Sequence, residues 1–309
     1  MEGLVSVIMP VYNAEEFVEE AIRSILEQTY DKFELIIVDD CSTDKSMDVV
    51  RSIKDDRIRI IKNEHNCGVA HSRNVALDNS QGEFIAIMDD DDVALPCRFE
   101  MQVNYLNEHK DIDVVGGKHV FIDCNGEVIR GENKAYYNPK FLKAKFLFNN
   151  TFCNSEMMFR KSVLKDLRYS QDCYGMEDYK LWIQLSKYAP MTMIDEVFLK
   201  HRRHGSNLTM QVNSQMYQQR KEKYKELQEL SWELSGIELS EHDKEIFHKY
   251  ISEDGQEKCD TFEELTEFYE MLGNFLIQCK KLDFYDEIKI LCKREFMAQM
   301  RRVSVLWKE

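Results

Sequence analysis

Phe84-Ile85-Ala86-Ile87-Met88-Asp89-Asp90-Asp91-Asp92 is a run of five apolar residues followed at once by four carboxylates. An apolar run of this length suits a strand buried on both faces, as in a parallel sheet covered by helices. The aspartates then mark where the chain leaves the core. The same form appears upstream, where Phe33 to Val38 reads as a buried strand ending in Asp39-Asp40, and where Leu4 to Met9 reads as a first strand ending in Pro10-Val11-Tyr12-Asn13. Between these runs Phe17, Val18, Ala21, Ile22, Ile25 and Leu26 recur at helical spacing. Further helices are expected at about Thr43 to Lys54 and Val69 to Asn79, with a strand at Ile58 to Ile61. Alternating strands and helices predict an α/β domain with a largely parallel, Rossmann-like sheet.

Past residue 92 the alternation loosens. Pro96 suits the first turn of a helix running to about Glu108. Val114 to Asp123 and Glu127 to Arg130, joined through Asn125-Gly126, read as a hairpin. Residues 139–204 mix a short amphipathic helix, a strand near Glu156 to Phe159, a helix at about Glu177 to Tyr188 and a strand at Met191 to Leu199. From about Met210 the pattern is helical and charged, with breaks at Gly236 and at Ser252 to Gly255. This divides the chain into a domain at 1–209, with halves of about 1–112 and 113–209, and a helical extension at 210–309.

The 309 residues are 43% hydrophobic and carry a formal net charge of −15, enough for a large core and opposed to broad binding of nucleic acid. Nine cysteines without a Cys-x-x-Cys pair point to reduced thiols in the cytoplasm. Met1 to Met9 lack the features of a signal peptide, and no apolar run reaches the roughly 20 residues that span a bilayer. Membrane contact is therefore expected to be peripheral, at the inner face.

In an open α/β sheet, ligands bind outside the carboxyl ends of the strands, which here carry Tyr12, Asp39-Asp40 and Asp89 to Asp92. Four adjacent carboxylates repel one another, a cost that a divalent cation would remove, and Asp89 with Asp91 is a spacing suited to Mg²⁺ or Mn²⁺. A solvated, helix-capping turn is the plain alternative. Tyr12 beside Asp39 and Asp40 combines a ring that stacks on a base with carboxylates that accept from it. Arg73 and His71, after Asn66-Cys67-Gly68-Val69, are placed to meet a diphosphate or the aspartates. Glu177-Asp178 opens a helix, where acidic residues often serve only the macrodipole. His201-Arg202-Arg203-His204 gathers imidazoles and guanidiniums apt for phosphate or metal.

In this order, five stretches resemble the family 2 glycosyltransferases, inverting enzymes of the GT-A fold: Val5 to Asn13, Leu35 to Asp44, Asn66 to Asn74, Gly82 to Asp92 and Glu177 to Trp182. The resemblance covers roughly residues 3 to 208. It implies a GT-A mixed sheet flanked by helices and a nucleoside-diphosphate sugar donor, with uridine diphosphate favoured. It also implies a saccharide or lipid-linked saccharide acceptor and a Mn²⁺ or Mg²⁺ cofactor. By the same resemblance Pro10, Tyr12, Asn13 and Asp39 would hold the nucleotide, with Asp40, Arg73, Asp89 and Asp90 supporting the ribose and diphosphate. Asp91, Asp89 and His204 would serve the metal, with Asp91 the first choice. Asp178 would be the catalytic base, with Glu177 a competitor. The departure is Asp90, where the family often has a small or neutral residue. A non-catalytic scaffold that kept the fold is the alternative function.

In the tail, Phe262, Leu265, Phe268, Tyr269, Leu272, Phe275 and Leu276 recur at helical spacing and are expected to form a packing face. Lys293 to Lys308 mixes basic residues with Phe296, Val303, Leu306 and Trp307, which suits a docked core helix or an anionic membrane surface. Oligomeric state is not encoded in any pattern found.

Overall fold

The computed structural model describes residues 1–132, 138–173, 175–205, 207, 214–251 and 257–306. The expected alternation is present as β1 (Val5–Val11), α1 (Val18–Leu26), β2 (Phe33–Asp39), α2 (Ser46–Ser52), β3 (Ile58–Lys62), α3 (Val69–Asn79) and β4 (Phe84–Ile87). These strands are parallel in the order β3-β2-β1-β4. The chain reverses its direction of travel across the sheet between β1 and β4, so the crevice at their carboxyl ends is the switch point where α/β folds bind ligands.

The rest of the sheet is mixed. A short β5 (Val93–Ala94) follows the acidic turn, then come α4 (Arg98–Glu108), β6 (Val114–Ile122), β7 (Val128–Arg130), α5 (Pro139–Lys145), β8 (Met158–Arg160), α6 (Glu177–Ser186) and β9 (Met191–Arg202). The order continues β4-β8-β6-β9-β5, with β7 paired to β6. The β6–β7 hairpin turns on Gly126 at φ 83°, and the Asp123 carboxylate accepts from the amides of Asn125 and Glu127, both at 2.9 Å. Pro96 lies before α4, not in its first turn. The amide of Leu95 donates to Phe198 O at 2.8 Å, Pro96 O accepts from Thr29 N at 2.9 Å, and the Arg98 amide donates to Leu95 O at 3.1 Å, so Pro96 and Cys97 form a turn ahead of the helix. Strand β9 runs three residues past its expected end, because its pairing with β6 continues to Ile122↔Arg202.

The helical remainder is α7 (Ser214–Ser235), α8 (Glu241–Tyr250), α9 (Phe262–Cys279) and α10 (Tyr285–Leu306). Two compact units result, and they interleave along the chain. The first contains 1–137, 152–181 and 188–211; the second contains 138–151, 182–187 and 212–309. A single division near residue 210 therefore misses two segments. The reason is visible in the core of the second unit, where Ala144, Leu147 and Phe148 join Trp232, Phe247, Phe268 and Phe275. Within α9, Leu265, Phe268, Leu272 and Phe275 are buried at i, i+3 and i+4 spacing, whereas Phe262 and Tyr269, one heptad apart, are 58% and 61% exposed. The expected packing face is thus narrower than the sequence suggested. In α10 Val303 is buried and Phe296 packs on the same core. Gly236, at φ 67°, follows the end of α7; Met210, Ser252 to Gly255, Trp307 and Lys308 lie outside the described residues. Among the described residues no helix is long and apolar enough to cross a membrane.

On one face of the parallel strands Val7, Leu35 and Phe84 pack with Ile22 of α1 and Phe99 of α4 in one core, while Ile8, Ile36 and Ile85 on the other face are also fully buried. Gly82 enters β4 so close to β1 that an added Cβ would lie 2.6 Å from Leu4 O and 2.7 Å from Ser6 N. Backbone cannot yield there as a flexible side chain can. Gly82→Ala is expected to cost about 1–3 kcal/mol of unfolding free energy, measured by urea denaturation; an unchanged midpoint would show that the β1–β4 spacing is not so constrained.

Candidate active site

Three strand ends meet at the switch point. At the end of β1 Pro10 is buried, Tyr12 is 47% exposed, and its amide donates to Asp90 Oδ2 at 3.1 Å. That bond joins the β1 and β4 ends directly. Asn13 takes a left-handed backbone, φ 52°, and its Oδ1 accepts from Thr43 N at 2.8 Å, tying the loop after β1 to the loop after β2. Asn13 thus shapes the crevice from behind.

Asp39 and Asp40 at the end of β2 are both buried but differ in what their oxygens do. Asp39 Oδ1 accepts from Ser42 N at 2.8 Å, and its Oδ2 takes no hydrogen bond among the described residues. Asp40 is fully engaged. Its Oδ1 accepts from Asn63 Nδ2 at 2.7 Å and Cys67 N at 2.8 Å, and its Oδ2 accepts from Gly68 N at 2.8 Å. Gly68, at φ 87°, is the cap of α3, so Asp40 holds the entry to that helix.

Arg73, on α3, is 4% exposed and bridges two carboxylates: Nη1 to Glu177 Oε1 and Nη2 to Asp89 Oδ1, both at 2.6 Å. Its Nε and Glu177 Oε2 are buried without partners. Of the two partners the sequence offered it, a diphosphate or the aspartates, the guanidinium meets the aspartates, clamping the acidic turn to the first turn of α6. Buried charges demand such pairing, since an uncompensated one costs several kcal/mol. His71 stays near the surface, with Nδ1 3.3 Å from Gln171 Nε2.

Each aspartate of the 89–92 turn has a different partner. Asp89 takes Arg73, and its amide donates to Ser155 Oγ at 3.2 Å. Asp90 takes the Tyr12 amide. Asp91 Oδ2 meets His204 Nε2 at 2.9 Å and Asn207 Nδ2 at 2.8 Å. Asp92, fully buried, takes the Arg202 amide at 2.9 Å and His201 Nδ1 at 3.1 Å. Arg202 locks the arrangement by donating from Nε to Asp91 O at 2.8 Å and from Nη1 to Asp123 O at 3.0 Å.

Electrostatics separates the four. Burial works to raise Asp89, but the Arg73 guanidinium outweighs it and holds the carboxyl below its ordinary value. Asp90 is pushed well above the usual range, by burial first and then by the charge of Asp91. Asp91 is also raised, by burial against the opposing His204 hydrogen bond, with Asp92 and Asp89 adding repulsion. Two crowded carboxyls with an imidazole beside them fit Mg²⁺ or Mn²⁺, which take oxygen ligands and leave positions for phosphates. The structure brings Asp91 and His204 within 2.9 Å of each other, whereas one oxygen of Asp89 is already spent on Arg73.

Asp178, in the first turn of α6, is partly exposed, and its Oδ1 accepts from Tyr179 N at 2.7 Å. Glu177 beside it is 5% exposed and committed to Arg73, which separates the two candidates for the base. Reading the sequence did not find Ser155, Asn63 or Arg98, while Asn207 closes the stretch that begins at His201. Arg98 is fully buried, drawn down to about 10 by burial, and donates from Nη2 to Ile87 O at 2.9 Å and Met157 O at 3.2 Å. It fixes the end of β4 from beneath. An Arg in the first turn of an amphipathic helix carries no sequence signal for that role.

Residues 6–168 match the model of the family described as Glycosyl transferase family 2. An uncharacterized glycosyltransferase, MJ1057, of Methanocaldococcus jannaschii is 37% identical over 204 residues, 64% of this chain and 70% of that protein. An Escherichia coli protein, the UDP-Glc:alpha-D-GlcNAc-diphosphoundecaprenol beta-1,3-glucosyltransferase WfgD, is 31% identical over 233 residues, 75% of this chain and 85% of its own. Among solved structures, Staphylococcus aureus TarS 1-349 in complex with UDP aligns with a TM-score of 0.62 at 20% identity, covering 98% of this chain and 89% of that one. The similarity to TarS establishes the fold, a mixed sheet flanked by helices with further helices at the C-terminus.

A carboxyl raised by the fold favours the folded state while protonated, and that contribution is lost as pH rises from about 4 through the folded value. Ionised Asp90 therefore works against folding at neutral pH. Asp90→Asn, which keeps an acceptor for the Tyr12 amide, is expected to raise the melting temperature of the metal-free protein at pH 7 and to leave it unchanged at pH 4. A melting temperature that falls at pH 7 would show that the ionised carboxylate stabilises the turn.

Proposed function

Because the chain belongs to glycosyl transferase family 2, we propose that it transfers a sugar, with inversion, from a nucleoside-diphosphate sugar to a saccharide or lipid-linked saccharide acceptor in cell-surface polysaccharide assembly. One observation carries the reading: the β1–β4 switch point joins an exposed aromatic, Tyr12, to an acidic turn whose Asp90 and Asp91 carboxyls are raised and await a counter-charge. Such a crevice suits a ligand that is a base at one end and a diphosphate with its cation at the other.

A uridine diphosphate sugar is the favoured donor. TarS has been solved with UDP and with UDP-GlcNAc, and WfgD is named for UDP-Glc and a diphosphoundecaprenol-linked acceptor. Tyr12 would stack on the base and the open oxygen of Asp39 would accept from it. Asp91 and His204 would hold Mg²⁺ or Mn²⁺, with Asp89 or Asp90 completing the set. The chemistry such a cation supplies is neutralisation of the charge growing on the departing diphosphate. Asp178 would take the proton of the acceptor hydroxyl as its oxygen attacks the anomeric carbon from the opposite face, so one displacement inverts the centre. Arg73, through Glu177, would keep the first turn of α6 in register with the acidic turn during that step. A lipid-linked acceptor would bring the protein to a membrane surface, and among the described residues no helix is long and apolar enough to cross it.

The test is Asp178→Asn assayed with uridine diphosphate sugars and lipid-linked saccharides. The variant should keep its donor-induced thermal stabilisation while turnover falls about 10²–10⁴-fold. Transfer at the wild-type rate would remove Asp178 as the base, and no transfer by the unmodified protein with any donor would favour a scaffold.

A further inference from the structure

Behind the acidic turn lies a second cluster, which the transfer reaction does not use. His201 Nδ1 on β9 is 3.1 Å from Asp92 Oδ1 and 3.8 Å from Cys153 Sγ, and the three ligand atoms lie within 4.8 Å of one another. Cys153 is shared with a second group, His119 and Glu156, whose ligand atoms also lie within 4.8 Å of it and of each other. Three separate segments therefore send side chains to the first group, the turn after β4, the stretch before β8 and strand β9, and the second group adjoins it through Cys153.

An ion pair alone explains Asp92 and His201. It does not explain why a thiol faces the same point. For tetrahedral zinc, bond lengths of about 2.0–2.3 Å imply ligand-to-ligand edges of roughly 3.3–3.6 Å, and the observed N–O and N–S separations of 3.1 and 3.8 Å bracket that span. The adjoining His119 and Glu156 pair holds the thiol's segment in place. His119 Nδ1 is held by the fully buried Glu156 carboxylate at 2.8 Å, and the His119 ring centroid is 5.7 Å from that of His201. Glu156 also receives the Cys153 amide at 3.3 Å, so the thiol and the imidazole share one anchor.

We propose that Asp92, Cys153 and His201 form a zinc site with its fourth position left to water, distinct from the oxygen-rich position at Asp91. Sulfur and imidazole ligands select a borderline-soft cation, while carboxylates and phosphates select Mg²⁺ or Mn²⁺, so the two positions sort their metals by chemistry. Binding exchanges Zn²⁺ for the thiol proton of Cys153 and the proton that His201 shares with Asp92, both released to solvent. The zinc would brace the turn that carries Asp91 by cross-linking it to β9 and to the stretch before β8.

Cobalt substitution in the full-length protein tests this directly. One equivalent of Co²⁺ should give a near-ultraviolet thiolate-to-cobalt charge-transfer band with tetrahedral visible bands, all displaced by Zn²⁺. The band should be lost in Cys153→Ser and retained in Asp91→Ala, and Glu156→Gln should weaken Zn²⁺ binding about 10–100-fold. His201→Gln, checked for folding by circular dichroism, provides a second variant that should bind at least tenfold more weakly. Absence of the thiolate band in the folded wild-type protein, its persistence in Cys153→Ser, or its loss in Asp91→Ala would overturn the proposal.

Discussion

Four consecutive carboxylates at the end of a buried strand repel one another, and a fold that keeps them must supply each with its own compensation. Here each partner comes from a different part of the chain. Asp89 is met by Arg73 of α3, Asp90 by the backbone after β1, Asp91 by His204 and Asn207 after β9, and Asp92 by His201 and the Arg202 amide. The turn thus acts as the hub to which the nucleotide half and the acceptor half are both attached. Arg73 extends the hub to α6, because the guanidinium that neutralises Asp89 also holds Glu177 beside Asp178.

Compensation is uneven, and the unevenness is what links the structure to function. Asp89 and Asp92 have cationic or charge-assisted partners close by. Asp90 has only an amide, and Asp91 an imidazole and an amide side chain, so both carboxyls are pushed upward. A cation with a diphosphate would supply the missing charge at the crevice where the parallel strands change direction. Stability is given up locally so that ligand binding can restore it, a common trade at functional sites.

Much of this was legible in the sequence. Continuous apolar runs ending in acidic residues located the parallel strands, because burial on both faces allows little else. Tyr12, Asp39 and the acidic turn could be placed at one crevice from that order alone. What could not be read were the side-chain partners. Asp40 looks like a ligand-binding group in sequence, yet its oxygens serve Asn63, Cys67 and Gly68. Arg73 looks like a phosphate ligand and is an internal clamp. His201 lies 109 positions from Asp92 and Glu177 lies 104 from Arg73, and only tertiary packing selects such pairs. The same limit hid the grouping of 138–151 with the C-terminal helices, since its apolar residues do not announce which core they join.

The account rests on the crowded carboxylates being a cation site completed by the nucleotide, and Mn²⁺ electron paramagnetic resonance measures that directly. With uridine diphosphate present, the signal of free Mn²⁺ should fall by one equivalent per chain, and Asp91→Ala should abolish the nucleotide-dependent part. Equal Mn²⁺ uptake by the wild-type and Asp91→Ala proteins, or none with any nucleoside diphosphate, would contradict the account.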